Sequence, residues 1–78
     1  MEKIYWDVTA INLNEERRNT FSPLFDSTKD VELWRMKFII ENPDDHITFS
    51  LRKENGKPYT TGIGCLVTEV WAGHELSC

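Results

Sequence analysis

The chain has 78 residues, of which 40% are hydrophobic and 28% are charged, and its net charge is −4. This length predicts one domain, 1–78, and leaves no room for a second. The apolar and aromatic content is sufficient for a compact core, which argues against a disordered chain. The negative balance disfavours nucleic acid or an anionic membrane as a partner of the whole molecule.

Neither a membrane anchor nor a secretory signal is expected from the sequence. No apolar run approaches the length of a membrane span, and the first seven residues, MEKIYWD, lack the apolar core of a signal peptide. Two cysteines, Cys65 and Cys78, do not make a disulfide framework, which fits a reducing compartment. We therefore expect a cytoplasmic protein.

The first predicted element is a strand over residues 3–13, KIYWDVTAINL, because apolar residues fall at every second position from Ile4 to Ala10. The charged stretch 14–19, NEERRN, has no apolar periodicity and predicts a solvated turn or a short helical turn. Residues 14–30 as a whole are expected to cover the apolar face of a sheet.

The clearest pattern lies between Leu33 and Lys53 and predicts a β-hairpin with the loop Asn42-Pro43-Asp44-Asp45. In this register Ile40 faces Ile47, Phe38 faces Phe49 and Met36 faces Leu51, so that three apolar pairs share one face. A helix over 28–40 is the alternative, since Ser27 and Asp30 resemble a capping arrangement and Val31, Trp34 and Phe38 are spaced for one helical face. The β-branched and aromatic content of 38–40 favours the strand.

Two further features follow this hairpin. Asn55-Gly56 is the strongest short turn signal in the chain and predicts a two-residue type I′ turn, which requires positive φ at both central residues. Residues 59–72 are predicted as another strand, with a helix over 61–72 as the alternative. The predicted fold class is mainly β, a twisted antiparallel meander of about four strands with one irregular or short helical connection; the alternative is α+β, with the 61–72 helix on a three-stranded sheet.

Candidate partner-binding residues fall into a basic and an acidic group. The predicted hairpin places Arg35 opposite Arg52, and like charges that face each other cost stability unless an anion or solvent matches them. The candidates on the basic face are Arg35, Lys37, Arg52, Lys53 and Lys57, with Tyr59 for stacking. The acidic candidates, in predicted loops, are Glu15, Glu16, Asp44 and Asp45. A solvated surface is the simpler explanation for each of these residues taken singly.

The sequence predicts no cofactor, no metal site and no catalytic site. Cys65, His74, Cys78 and His46 can be imagined around a metal ion, but they lack the closely spaced pair that structural zinc sites use, and Cys65 is expected in the core. A Ser50 or Cys65 nucleophile has no histidine at a spacing that links them.

These features predict a small acidic protein that is not an enzyme and that binds a macromolecular partner stoichiometrically as an inhibitor or adaptor. The partner is expected to be a protein or a protein–nucleic acid complex, and the chain to be a monomer or homodimer. A phage antagonist of a host nucleic-acid-binding complex is one concrete form. The alternatives are a nucleic-acid-binding module that uses the basic face of 33–53, and a small subunit of a larger assembly.

Overall fold

The computed structural model describes residues 2–76, and in this part of the chain there are four strands and one helix. The elements are β1 (Ile4–Ile11), β2 (Arg17–Phe21), α1 (Thr28–Glu41), β3 (His46–Lys53) and β4 (Thr68–Ala72). All neighbouring strands are antiparallel, and the sheet order is β2-β1-β3-β4. The predicted mainly β class, with an antiparallel sheet of four strands, is confirmed, but the strands do not form a meander, because β3 pairs with β1 and not with β2.

The core lies between one face of the sheet and helix α1. Strand β1 alternates buried and half-buried residues along its whole length, and β3 does so as far as Arg52, as the period of two in a strand requires. The buried apolar side chains are Ile4, Trp6, Val8, Ala10, Val31, Ile47, Phe49 and Leu51. The other face of these two strands carries half-buried, mostly polar residues such as Thr9, Thr48 and Ser50.

Residues 28–41 form a helix, so the predicted strand over 33–41 and the hairpin register built on it are wrong. Ser27 caps the helix, because its side chain accepts a hydrogen bond from the backbone N–H of Asp30 at 3.2 Å. Trp6 fixes the helix on the sheet by donating from Nε1 to the carbonyl oxygen of Val31 at 2.7 Å. The alternative helix over 28–40 is the correct interpretation.

The charged stretch after β1 is part of the sheet, which corrects the prediction of a solvated turn over all of 14–19. A short turn reverses the chain after Ile11, and the Asn12 side chain accepts hydrogen bonds from the backbone N–H groups of Asn14 and Glu16. The chain then returns as β2, whose five residues are all exposed. Helix α1, and not the 14–30 connection, therefore covers the core.

A turn at Asn55-Gly56 is confirmed, but it is not the predicted two-residue type I′ turn, because Gly56 has a φ of 87° whereas Asn55 is not among the residues with positive φ. Lys53 donates its N–H to the carbonyl of Lys57, and Gly56 donates to the carbonyl of Lys53, so three residues form the loop. The predicted strand over 59–72 is confirmed in its second half, as β4, and the alternative helix over 61–72 is wrong. Residues 60–66 leave the sheet as a loop that closes on the bridge between Thr60 and Leu66.

None of the helices in residues 2–76 has both the length and the apolar character needed to cross a lipid bilayer.

Candidate interaction surface

The basic candidates do not form one face, because the fold separates Arg35 from Arg52. Arg35 lies on α1, where its guanidinium is 2.9 Å from the Glu32 carboxylate and 3.8 Å from that of Glu69. It also lies 5.9 Å from the centre of the Phe49 ring. Arg52 lies on β3 opposite Tyr5, and its Nε donates to the Asp7 carboxylate at 2.8 Å. Both arginines are therefore neutralised by carboxylates of the same chain.

The remaining basic candidates are spread over the molecule. Lys37 is exposed on α1, whereas Lys53 and Lys57 meet through their backbones at the hairpin turn after β3. Tyr59 is half-buried and packs against the core, so its ring is not a free stacking platform. This distribution gives no continuous track for a phosphate backbone.

The acidic candidates, by contrast, come together at one end of the sheet. Glu15 and Glu16 lie in the turn between β1 and β2, and Asp44 and Asp45 lie between α1 and β3. Arg18 joins the two segments, because its Nη2 donates to Asp45 and to the side-chain oxygen of Asn42, both at 2.8 Å. Asp45 is buried in this ion pair, and the other three residues are exposed.

We define this region as the acidic end. It contains six carboxylates and two arginines, namely Glu15, Glu16, Glu41, Asp44, Asp45, Glu75, Arg17 and Arg18. The balance is four negative charges, which equals the net charge of the whole chain. The charges of the acidic and basic side chains in the rest of the molecule cancel. The acidic end is therefore where a positively charged partner is attracted.

The most exposed apolar surface lies on the last part of the chain. Ile63 in the loop 60–66 is 87% exposed, Leu66 is 63% exposed and Val70 on β4 is 60% exposed. Trp71 is 39% exposed, although its Nε1 donates to the carbonyl of Pro43. We call these four residues the apolar edge. Cys65, which the sequence placed in the core, is exposed beside them.

The backbone of β4 adds hydrogen-bonding capacity to the apolar edge. The N–H of Leu51 donates a hydrogen bond to the carbonyl of Val67, and the N–H of Gly73 donates one to the carbonyl of Asp45. The backbone N–H and C=O groups of the odd-numbered residues from Val67 to Gly73 therefore point toward β3. The N–H and C=O groups of Thr68, Val70 and Ala72 therefore point away from the sheet. The opposite edge, β2, carries Arg17 and Arg18, and charged side chains protect a sheet edge from pairing. β4 has one charged residue, Glu69, on the helix side of the sheet beside Arg35.

Sequence reasoning did not identify the apolar edge, although one signal was present. Residues 58–68, PYTTGIGCLVT, form an eleven-residue run without a charged side chain in a chain that is 28% charged. Strands and loops at a protein surface normally carry charged residues. An uncharged run that is not buried is therefore a signal for an interface.

Helix α1 carries a second apolar surface, which consists of three residues. Leu33, Met36 and Ile40 are exposed and lie at helical spacing on the side away from the core. In the sequence, this outer stripe gives the segment the alternation typical of a strand, because it adds apolar residues to both faces.

Comparisons with known proteins do not assign this chain to a family. No family model, no curated protein and no solved structure matches it.

Proposed function

We propose that the protein binds another protein stoichiometrically, as an inhibitor or an adaptor without enzymatic activity, and that the apolar edge is its contact surface. The observation that carries this proposal is an uncharged, exposed segment continuous with an unpaired strand edge. Large apolar side chains such as Ile and Leu each gain about 1.5–3 kcal/mol when they are fully buried. Trp71 adds the residue type most enriched in binding hot spots.

The partner that fits this surface presents an uncharged extended strand. Such a strand adds to β4 through the outward N–H and C=O groups of Thr68, Val70 and Ala72, and this mode of recognition is known as β-augmentation. A charged strand would lose its hydration at the apolar edge without finding a counter-ion there. The exposed loop 60–66 then packs its apolar side chains beside the added strand.

The acidic end favours a partner that also carries a basic surface. It lies next to β4, because His74 contacts the carbonyl oxygen of Asp44 and Trp71 donates to Pro43. A basic groove of a nucleic-acid-binding complex has the required charge, and an antagonist carried by a phage is one form that such a protein takes. This activity belongs in the cytoplasm. Direct binding of nucleic acid has less support, since Arg35 and Arg52 are paired with carboxylates.

The test is an affinity capture from a lysate of the native host, with and without nuclease. The apolar-edge variant carries Ile63→Ser and Leu66→Ser. The matched control carries Leu13→Ser and Leu24→Ser, which removes two exposed leucines elsewhere. We expect the wild type and the control to recover one protein or complex at stoichiometric yield after nuclease treatment. The apolar-edge variant should recover at least about ten times less, since losing two buried contacts costs more than 1.4 kcal/mol.

Two outcomes contradict the proposal. Equal recovery by the wild type and the apolar-edge variant would exclude the apolar edge as the contact surface. Recovery of nucleic acid alone, which is lost on nuclease digestion, would favour the alternative of a nucleic-acid-binding module. Arg35 and Arg52 would then be the first contact residues to test.

A further inference from the structure

The two histidines of the chain lie together at the acidic end, although 28 positions separate them. His46 begins β3 directly opposite Ala72, and His74 follows two residues after Ala72. In an antiparallel pair, the residue two positions beyond the directly opposite one is a diagonal neighbour on the same face of the sheet. The ring centres of His46 and His74 are 6.4 Å apart.

Each ring has one buried nitrogen without a hydrogen-bond partner, and these atoms are Nδ1 of His46 and Nε2 of His74. A buried nitrogen of this kind normally finds a partner, because an unsatisfied polar atom costs free energy. Two such atoms in neighbouring rings are candidate ligands for one ion.

The environment of His74 resembles that of a metal-binding histidine. Its Nδ1 lies at hydrogen-bond distance from the carbonyl oxygen of Asp44, and a carbonyl oxygen only accepts, so Nδ1 carries the proton. In the neutral ring, Nε2 then has the free electron pair. A backbone carbonyl that fixes the other ring nitrogen is a common second-shell partner of metal-binding histidines.

We propose that His46 and His74 bind one divalent transition-metal ion, such as Zn²⁺, Ni²⁺ or Cu²⁺. An imidazole nitrogen binds Zn²⁺ at about 2.0–2.1 Å, which puts the ring centre about 3.2 Å from the ion and two ring centres at most about 6.4 Å apart. The observed spacing is at this limit, and a tetrahedral angle requires rotations that bring the ring centres about 1 Å closer.

The two histidines would supply two protein ligands, and the ring rotations would also have to admit the water that completes the coordination, because both nitrogens are buried. Residues 2–76 contain no group of three or more His, Cys, Asp and Glu side chains placed to hold a metal ion together. The negative charge of the acidic end raises the local concentration of a divalent cation. Of the thiols considered above, Cys65 lies in the loop 60–66 beyond the other end of β4, and Cys78 is outside the described residues.

The test is calorimetric titration of the chloride salts of Zn²⁺, Ni²⁺ and Cu²⁺ into the full chain. Cys65→Ser and Cys78→Ser are introduced first, because thiolates bind these ions more strongly than imidazole does. We expect one ion per chain, with Cu²⁺ bound more tightly than Ni²⁺ or Zn²⁺. His46→Gln and His74→Gln should each weaken binding at least about tenfold, because second-shell changes alone cost 10–100-fold in metal affinity.

A thermal melt with and without metal provides a second measurement in case a histidine variant is less stable than the parent protein. Saturating metal should raise the Tm of the thiol-free protein and leave that of the double histidine variant unchanged. Absence of saturable binding up to about 1 mM, or unchanged binding in the double variant, would overturn the proposal. Neither result would bear on partner capture by the apolar edge.

Discussion

At the residue scale, contacts between the turn after α1 and the end of β4 hold the acidic end together. Gly73 donates its N–H to the carbonyl of Asp45 at 3.0 Å, and Arg18 pairs with the Asp45 side chain. Leaving a buried carboxylate without its partner is costly, so Arg18 and Asp45 depend on each other. These residues place His74 and Trp71 beside Asp44 and Pro43.

Gly73 is the position where this packing is tightest. A Cβ atom added there would collide with the carbonyl oxygen of Pro43 and would lie 2.8 Å from that of Asp45. We therefore predict that Gly73→Ala lowers the free energy of unfolding by about 1–3 kcal/mol, as overpacking does in a well-packed interior. Gly62→Ala is the control, since a Cβ added to Gly62 has open space around it.

Urea denaturation of the two variants provides the measurement. Gly62→Ala should stay within about 0.5 kcal/mol of the wild type, as is usual for surface substitutions. A Gly73→Ala variant as stable as the wild type would show that the turn moves away from β4 at little cost.

At the element scale, the helix is the part that sequence reasoning interpreted wrongly. Its core side contains Val31, Trp34 and Phe38, which do have helical spacing. The outer stripe of Leu33, Met36 and Ile40 hides that spacing, because it creates an apparent alternation through Trp34, Met36, Phe38 and Ile40. A helix with an apolar outer face cannot be distinguished from a strand by periodicity alone.

Strands β1 and β3 were predictable because each buries one face only. The alternation of buried and half-buried residues runs through all of β1 and through β3 as far as Arg52. β2 was missed because all five of its residues are exposed, so no apolar pattern marks it. The proximity of His46 and His74 depends on the register of β3 and β4, which no local pattern encodes.

The edge of β4 supports a prediction about backbone hydrogen bonds. Proline has no N–H, so Val70→Pro removes a donor that points away from the sheet, whereas Glu69→Pro removes one that faces β3. We predict that the Val70→Pro protein stays folded with at most about 1 kcal/mol lost, and that its affinity for a partner strand falls at least tenfold. Glu69→Pro should lose about 1–3 kcal/mol more stability than Val70→Pro, because it leaves a carbonyl group of β3 without its hydrogen bond.

Denaturation of both variants and a binding titration of Val70→Pro against the captured partner test this prediction. Undiminished affinity in the Val70→Pro protein would argue that the partner does not add a strand to β4. Equal destabilisation by the two prolines would contradict the hydrogen-bond pattern described for the edge.

At the scale of the whole molecule, charge and apolar surface are distributed unevenly. The net charge of the chain is concentrated at the acidic end, and the apolar edge begins beside it at Trp71. Electrostatic attraction guides a basic partner to this end, and apolar burial then holds the complex. The outer stripe of α1 is the competing surface, since it is also apolar and exposed.

Hydrogen exchange of the chain, alone and in complex with the captured partner, distinguishes these two surfaces. If the partner adds a strand to β4, the amides of Thr68, Val70 and Ala72 exchange more slowly in the complex, together with those of the loop 60–66. The amides of α1 then keep the rates of the free protein. Slower exchange in α1, with residues 60–72 unchanged, would contradict the assignment of the apolar edge as the binding surface.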